Sequence, residues 1–207
     1  MTDWPFQGLR RGAYGAILAD PPWAFRTYSG NDTIPHRTAA EPYPVMALGD
    51  LARLPVQDLA ARDCVLFLWA NDPLLPEGLW LGKMWGFTYK TRGFEWNKGS
   101  IGMGYWTRKQ TELCLLFTRG KPKRLSKGVR QLIEAPRREH SRKPDEQYDG
   151  IEALVGGPYC ELFAKYRRKN WEGWGNEYPK IDTRRHITSL IDGFRERIGA
   201  ATPEAGD

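Results

Sequence analysis

The residues Asp20-Pro21-Pro22-Trp23 join an acid, two prolines and an aromatic ring at the end of an apolar run, Ala16 to Ala19. A nucleobase amine is a weak nucleophile because its lone pair is delocalised into the ring, so a site that alkylates it must accept hydrogen bonds from it. Asp20 can accept one bond and the Pro21 carbonyl another, since proline keeps its acceptor. The prolines stiffen the turn, and Trp23 could stack on a flipped base. The pattern favours chemistry on a base amine over an ordinary turn, where Asp and Pro are also common.

Three further blocks follow in the chain: His140-Ser141-Arg142-Lys143-Pro144-Asp145-Glu146, Glu161-Leu162-Phe163-Ala164 and Trp174-Gly175-Asn176-Glu177. With the first block, they resemble the motifs of the MT-A70-like family of N6-adenine methyltransferases over roughly residues 3 to 178. The catalytic block comes first, as in circularly permuted β-class amino-methyltransferases. The resemblance implies an α/β fold, namely a Rossmann-like SAM-dependent methyltransferase fold with a mostly parallel sheet and flanking helices. Ligands of such sheets bind at the carboxyl ends of the strands.

The resemblance also implies S-adenosylmethionine as the cofactor and a set of site residues. The catalytic residues would be Asp20, Pro21, Pro22 and Trp23. The cofactor-binding residues would be Asp3, Trp4, Asp20, Arg138, His140, Lys143, Glu161, Phe163, Asn176 and Glu177. The target nucleic acid is expected to contact Trp23, Arg26, Tyr28, Trp106, Arg108 and Lys109. The resemblance does not decide which of Arg108 and Lys109 approaches the cofactor or the target.

One segment departs from the family pattern. Residues 163–168 contain no glycine, and Ala164 stands where the family often keeps one. Glycine lets bare backbone approach a ligand closely. We therefore expect side chains to hold the methionine end of the cofactor, or the backbone at this position to be tighter than usual.

Apolar runs that alternate with helical patterns independently predict an α/β sheet. Strands are expected at 16–19, 64–70, 87–96, 112–118 and 159–164. Helices are expected at 45–61 with a break at Pro55, at 74–85, from Pro144 to Val155, and at 183–198. Three long connections, 24–44, 93–109 and 120–140, are interpreted as a target-binding rim. The length suits a single domain over 1–200, with a flexible tail at 201–207.

The composition suggests a polyanionic partner. The net charge is +6 and the pI about 9.3, with cations clustered at 121–130, 137–143 and 165–169. We expect nucleic acid as the partner, DNA more than RNA, and a homodimer is plausible by resemblance. The sequence shows no secretory signal and no run long enough to cross a bilayer, so a cytoplasmic location is expected. Three separated cysteines are expected to be inert core thiols, and no metal site is indicated.

The leading hypothesis is a DNA N6-adenine methyltransferase that transfers the methyl group directly to the amine, without a covalent enzyme intermediate and without metal. An RNA N6-adenine methyltransferase and an N4-cytosine enzyme would use the same amine chemistry. A non-catalytic nucleic-acid-binding subunit of a heterodimer is an alternative from another class. Such a subunit would be expected to have lost the acid or the cofactor contacts, whereas Asp20 and Asn176 are both present.

Overall fold

Seven strands form one sheet in the order β5-β3-β4-β2-β1-β6-β7. The computed structural model describes residues 4–23, 46–102, 104, 106–139, 142–176 and 178. The strands are β1 Tyr14–Ala19, β2 Ala60–Ala70, β3 Thr88–Gly102, β4 Lys109–Arg119, β5 Leu132–Glu134, β6 Tyr159–Leu162 and β7 Trp171–Trp174. The α-helices are α1 Leu48–Arg53, α2 Leu75–Met84 and α3 Glu146–Leu154, and short 3₁₀ turns cover Val56–Asp58 and Asp72–Leu74.

The centre of the sheet is parallel, with β1 between β2 and β6, and β7 beyond β6. The strand β4 runs antiparallel between β2 and β3, and β5 pairs parallel with β3. The register brings Ala19 opposite Leu68 and Leu162, and Ala70 opposite Leu113. The residues that follow β1, β2 and β6 therefore meet at one edge of the sheet, beside the start of β4. The mostly parallel α/β fold implied by the resemblance is confirmed.

The core lies on both faces of the central strands. Ile17 and Leu66 face the helices α1 and α2, while Leu18 and Phe67 face α3 and its apolar residue Ile151. Each fully buried side chain of this size contributes about 1.5–3 kcal/mol. Burial on both faces explains why β1 and the second half of β2 are continuous apolar runs.

The strands and helices predicted in the core are confirmed, with shifts at their ends. The helix predicted at 45–61 is wrong in extent, since α1 ends at Arg53 and β2 already begins at Ala60. The cause is Pro55: the preceding residue, Leu54, is extended, as steric contact with a following proline requires. The predicted helix at 183–198, the tail at 201–207 and the connection 24–44 lie outside the described residues, and the single-domain assignment stays a prediction.

The long loop predicted at 93–109 is wrong, because β3 continues to Gly102 and β4 begins at Lys109. Gly93 does not end the strand. It lies at an irregularity of the β3–β4 ladder, where an added Cβ would be 3.2 Å from the Leu116 Cβ and 3.3 Å from the Phe67 Cδ1. A glycine inside a strand often marks such a bulge or close approach. The predicted loop 120–140 likewise contains the unexpected strand β5.

All three cysteines are free and buried, as expected. Burial raises the pKa of Cys64 to about 12 and the pKa of Cys114 and Cys160 well above the ordinary value, which keeps the thiols protonated. Among the described residues, no helix combines the length and the apolar character that crossing a bilayer requires.

Candidate active site

Asp20 directly follows β1 and lies at the carboxyl edge of the parallel strands. Its side chain is 25% exposed, and its Oδ2 accepts a hydrogen bond of 2.8 Å from the Nζ of Lys143. The turn after it is tightly bonded: the Pro21 carbonyl accepts from the Trp23 N–H at 2.8 Å and the Pro22 carbonyl from the Met46 N–H at 3.0 Å. The Pro21 oxygen keeps a second lone pair, so it can still accept a bond from a ligand.

Trp23 is only 8% exposed and belongs to the core beside α1. Its indole N–H donates to the carbonyl of Trp69, near the end of β2, at 3.1 Å. The ring thus ties the turn after β1 to β2 and holds the two acceptors of the turn in place. A stacking contact between Trp23 and a base stays a prediction.

Lys143 is the centre of a charge cluster. Besides Asp20, its Nζ lies 3.4 Å from the Oε2 of Glu112, and the Nζ of Lys98 lies 3.1 Å from the other oxygen of that carboxylate. The ammonium of Lys143 is also 5.4 Å from the centroid of the Trp69 ring, within the range of a cation–π contact. These side chains are between 9% and 25% exposed, so solvent screens the cluster only partly.

The cluster does not hold its charges equally. Burial opposes the charge on Lys143, yet Asp20 and Glu112 raise its pKa above the ordinary value. Burial also opposes ionisation of Glu112, but Lys143 and Lys98 outweigh it and the pKa of Glu112 is lowered. For Asp20 burial prevails over Lys143, and its pKa is raised. Asp20 is therefore the carboxylate of the cluster whose charge a further hydrogen-bond donor would stabilise most.

A cleft opens beside Asp20, with a volume of about 580 Å³ including the space open to solvent. Its walls come from β6, the start of α3 and the segment after β6. They are formed by Asp20, Arg142, Lys143, Asp145, Gln147, Tyr148, Glu161, Phe163, Lys165, Tyr166, Arg167 and Arg168.

Glu161 stands in the wall of this cleft, on β6. Burial raises its pKa to about 8, although the hydroxyl of Tyr148 donates to its Oε2 at 3.0 Å. The nearby charge of Asp20 contributes to this rise. At neutral pH this carboxyl is therefore mainly protonated, and a cationic ligand in the cleft would favour its ionised form.

The segment 163–170 after β6 begins and ends with left-handed backbone at non-glycine residues. Phe163 has φ of 62° and Asn170 has φ of 68°, a conformation that is uncommon outside glycine and concentrates at functional sites. The close backbone approach occurs at Gly175, where an added Cβ would lie 2.4 Å from the Ala164 carbonyl oxygen. The Ala164 N–H also donates to the Trp174 carbonyl at 2.9 Å. Gly175 therefore lets the backbone after β7 approach the segment after β6 closely.

Two arginine–tyrosine stacks fasten this segment to α3 and the turn before it. The guanidinium of Arg142 lies 4.6 Å from the ring centroid of Tyr166, and that of Arg168 lies 4.5 Å from the ring centroid of Tyr148. Arg168 also pairs with Asp149 of α3. Because one arginine comes from each side of the cleft, the two stacks hold its walls together.

The family model MT-A70 matches residues 14–177 of the chain. The chain belongs to the MT-A70 family. It is 36% identical over 193 residues to the Type II methyltransferase M.MunI of a Mycoplasma species, covering 86% of this chain and 83% of that protein. The MT-A70-like N(6)-adenosine-methyltransferase of Arabidopsis thaliana is 27% identical over 93% of this chain, and the human N(6)-adenosine-methyltransferase catalytic subunit METTL3 is 28% identical over 82% of it. The chain spans only 27% and 29% of the lengths of these two proteins.

The structure brings part of the predicted cofactor set together. Lys143, Glu161 and Phe163 line the cleft with Asp20. Arg138 does not line it: its guanidinium donates to the Asp145 carboxylate at 2.8 Å and to the Lys143 carbonyl at 3.0 Å, and so holds the turn before α3. The predicted cofactor set thus contains both residues of the cleft wall and a residue, Arg138, that supports the wall.

Trp4 and Asn176, which also belong to the predicted cofactor set, are not among the residues that line the cleft. The Trp4 N–H donates to the Leu9 carbonyl at 3.0 Å. Its ring contacts Phe6, which contacts Trp174, which in turn contacts Phe163 in the cleft, with centroid separations of 5.0–5.6 Å. Asn176 is exposed just after β7. Asp3, His140 and Glu177 lie outside the described residues, and the cofactor roles of all these residues stay predictions.

The predicted target-binding residues are only partly described. Trp106 is 93% exposed and Arg108 is exposed in the connection between β3 and β4. Lys109 begins β4, pairs with Asp72 after β2 at 3.1 Å, and is close enough to lower the pKa of Glu112. Of the two cations that the resemblance leaves open, Lys109 is the one beside the charge cluster. Arg26 and Tyr28 lie outside the described residues.

Sequence reasoning assigned no individual role to several residues of the site, above all Glu112, Arg142, Tyr148, Tyr166 and Arg168. Tyr148 lies in the helix predicted from Pro144 to Val155, for which no site role is predicted. A usable signal was present: Arg142 stands beside Lys143 in the block that ends at Glu146, and Tyr148 lies two residues beyond that block, about one helical turn after Pro144. For Glu112 the only signal was its position near the start of a strand.

Proposed function

We propose that this MT-A70 protein transfers a methyl group from S-adenosylmethionine to the exocyclic N6 amine of adenine in DNA. The observation that carries the proposal is the Asp20 carboxylate, which lies in the wall of a cleft lined by charged and aromatic side chains and is bonded to Lys143 at 2.8 Å. It follows β1 in a rigid turn, as an acceptor for a base amine should. The family membership and the relation to methyltransferases support the same reaction.

The chemistry of the cleft fits S-adenosylmethionine, which carries a positive sulfonium, an ammonium and a carboxylate. The carboxylic groups of Asp20 and Glu161 suit the positive charges, whereas the cations Lys165 and Arg167 suit the carboxylate. Phe163 adds an apolar ring to the wall. When bound, the cofactor supplies an electrophilic methyl group. The predicted contacts of Asp3, His140, Asn176 and Glu177 with it belong to this proposal.

The chain's own residues would prepare the amine. Asp20 accepts one amine hydrogen bond, and the free lone pair of the Pro21 carbonyl accepts the second, which favours a tetrahedral nitrogen with an available lone pair. Lys143 stays an ammonium because it contacts both Asp20 and Glu112. Its charge favours the ionised form of Asp20, and its hydrogen bond fixes the orientation of that side chain, so that little reorganisation remains for the reaction.

DNA is the proposed polymer because the Mycoplasma Type II methyltransferase is the relative whose length this chain largely spans. RNA is the alternative that the similarity to N(6)-adenosine-methyltransferases raises. A non-catalytic binding subunit is disfavoured by the intact arrangement at Asp20. A cytoplasmic location and a homodimer stay predictions.

The test is methylation by the purified chain. Unmethylated plasmid DNA and RNA of matched sequence are incubated with isotopically labelled cofactor, and the digested nucleosides are identified by mass spectrometry. We expect labelled N6-methyladenine from DNA. The Asp20→Ala variant should lose turnover by about a hundred- to a thousand-fold, the scale seen when an electrostatic group of an active site is removed, and this loss should exceed any loss of cofactor affinity that calorimetry records. Label in RNA alone, in cytosine, or undiminished in Asp20→Ala would each contradict the proposal.

A further inference from the structure

A basic stretch lies outside the cleft, between β4 and the turn that precedes α3. From 121 to 138 the chain has seven Lys and Arg residues and a single acid, Glu134. Six of the cations are exposed, and among the described residues none of the six pairs with a carboxylate. We call these six residues the basic track: Lys121, Lys123, Arg124, Lys127, Arg130 and Arg137.

The backbone of the basic track is held in place although most of it is neither helix nor strand. The Lys121 N–H donates to the Asp63 Oδ1 at 2.7 Å, and the Leu125 N–H donates to the Leu154 carbonyl at the end of α3 at 2.8 Å. Farther along, the side-chain amide of Gln131 donates to the Arg92 carbonyl of β3 at 2.7 Å. A fixed backbone presents its cations at fixed separations, which lowers the entropic cost of binding a regular array of charges.

The basic track leads to the active site. It begins after β4, at the end of the sheet where Arg119 is paired with Cys64 of β2. The strand β5 lies toward the opposite end of the sheet, level with the pair of Leu113 and Ala70. This rise along β2 is about 20 Å at 3.3 Å per residue, the axial length of about six base pairs at 3.4 Å each. Arg137 then stands next to Arg138, which bonds the Lys143 carbonyl at 3.0 Å.

We propose that the basic track binds the phosphodiester backbone of duplex DNA beside the target adenine. The inference rests on the proposed function, because a polymer whose base enters the cleft must continue along the protein surface. Phosphate groups are bound by exposed cations and require no apolar pocket. The track supplies such cations along a single path that leads toward the Asp20–Lys143 pair. It lies on the α3 face of the sheet, away from α1 and α2.

The test compares two double charge reversals of equal size. Lys123→Glu with Lys127→Glu changes the track, whereas Arg53→Glu with Lys83→Glu changes exposed cations on α1 and α2. Binding of a fluorescein-labelled duplex is followed by anisotropy over a series of salt concentrations, with a single-stranded RNA in parallel. Each phosphate contact contributes about 0.9 to the slope of log affinity against log salt.

We expect the track variant to lose about two units of that slope and at least about ten-fold in duplex affinity, with the KM for DNA raised and kcat unchanged. The matched control should stay within about two-fold of the wild type. An equal loss in the control, an unchanged slope in the track variant, or a loss confined to RNA would overturn the proposal. If the track variant loses duplex binding while the wild type methylates no DNA, the track stands and the proposed reaction fails.

Discussion

Glu161 offers a way to detect the cofactor by proton release. Its pKa is raised to about 8 by burial, so about nine-tenths of it is protonated at pH 7. A positive group at about 4–6 Å lowers a carboxyl pKa by 1–3 units. With a shift of about two units, the protonated fraction at pH 7 falls to about one-tenth, and binding releases about 0.8 proton.

The same shift sets the pH dependence of cofactor affinity. Since the ligand prefers the ionised carboxyl, affinity rises with pH until the unliganded group is ionised, about 40-fold between pH 6 and pH 9 for a two-unit shift. In the absence of ligand, ionisation of Glu161 has the opposite effect on the stability of the fold. The folded pKa lies above the ordinary 4.5, so this group contributes stability at low pH that is lost as the pH rises through about 8.

Titration calorimetry measures both quantities. The binding enthalpy is recorded in buffers of different ionisation enthalpy, whose slope gives the number of protons released. Glu161→Gln cannot ionise and keeps an acceptor for Tyr148, so its release should fall close to zero and its affinity should become nearly independent of pH. Glu146→Gln, an exposed change in α3, should behave as the wild type. Wild-type release below about 0.2 proton at pH 7, or equal release by Glu161→Gln, would refute the reasoning.

Two further predictions concern the segment 163–170. Gly175→Ala should lower the free energy of unfolding by about 1–3 kcal/mol, because the added Cβ would lie 2.4 Å from a backbone atom. The control Gly49→Ala, whose added Cβ meets nothing within 4 Å, should stabilise the protein by up to about 1 kcal/mol. Equal urea midpoints for the two variants would contradict this prediction. Arg168→Ala should raise the KM for cofactor about five-fold with kcat nearly unchanged, since a cation–π contact is worth about 1 kcal/mol. Lys169→Ala is the matched control, and a fall in kcat alone would show that Arg168 does not position the wall.

The central strands could be predicted because burial on both faces leaves a local mark, an unbroken apolar run such as Cys64 to Ala70. The edge strand β7 leaves no such mark. Its sequence, Trp171-Glu-Gly-Trp174, has no simple period, and it is a strand because β6 offers it hydrogen-bond partners. Gly93 misled for a similar reason, since its role depends on the distant Phe67 and Leu116.

The site divides along the same line. Asp20 and Lys143 lie in recognisable blocks, so each could be identified without knowing that they touch. Glu112 could not, because its place beside Lys143 depends on β4 running antiparallel next to β2, a long-range pairing that sets Leu113 opposite Ala70. Tyr148 and Arg168 are joined across the cleft by a contact between segments that the sequence shows only as separate.

The two carboxylates around Lys143 have different roles: one balances the charge of the lysine, and the other is available to accept a hydrogen bond from the base amine. Glu112, which also contacts Lys98, has a lowered pKa, whereas Asp20 has a raised pKa although its contact with Lys143 is the shorter of the two. If Lys143 met only Asp20, the pair would satisfy itself, and an amine would have to compete with the whole ammonium for the carboxylate. Sharing the ammonium between two carboxylates weakens that competition and leaves Asp20 with unsatisfied acceptor capacity in a partly dehydrated site. Glu112 is therefore the acid that balances the lysine charge and leaves Asp20 available to a base amine.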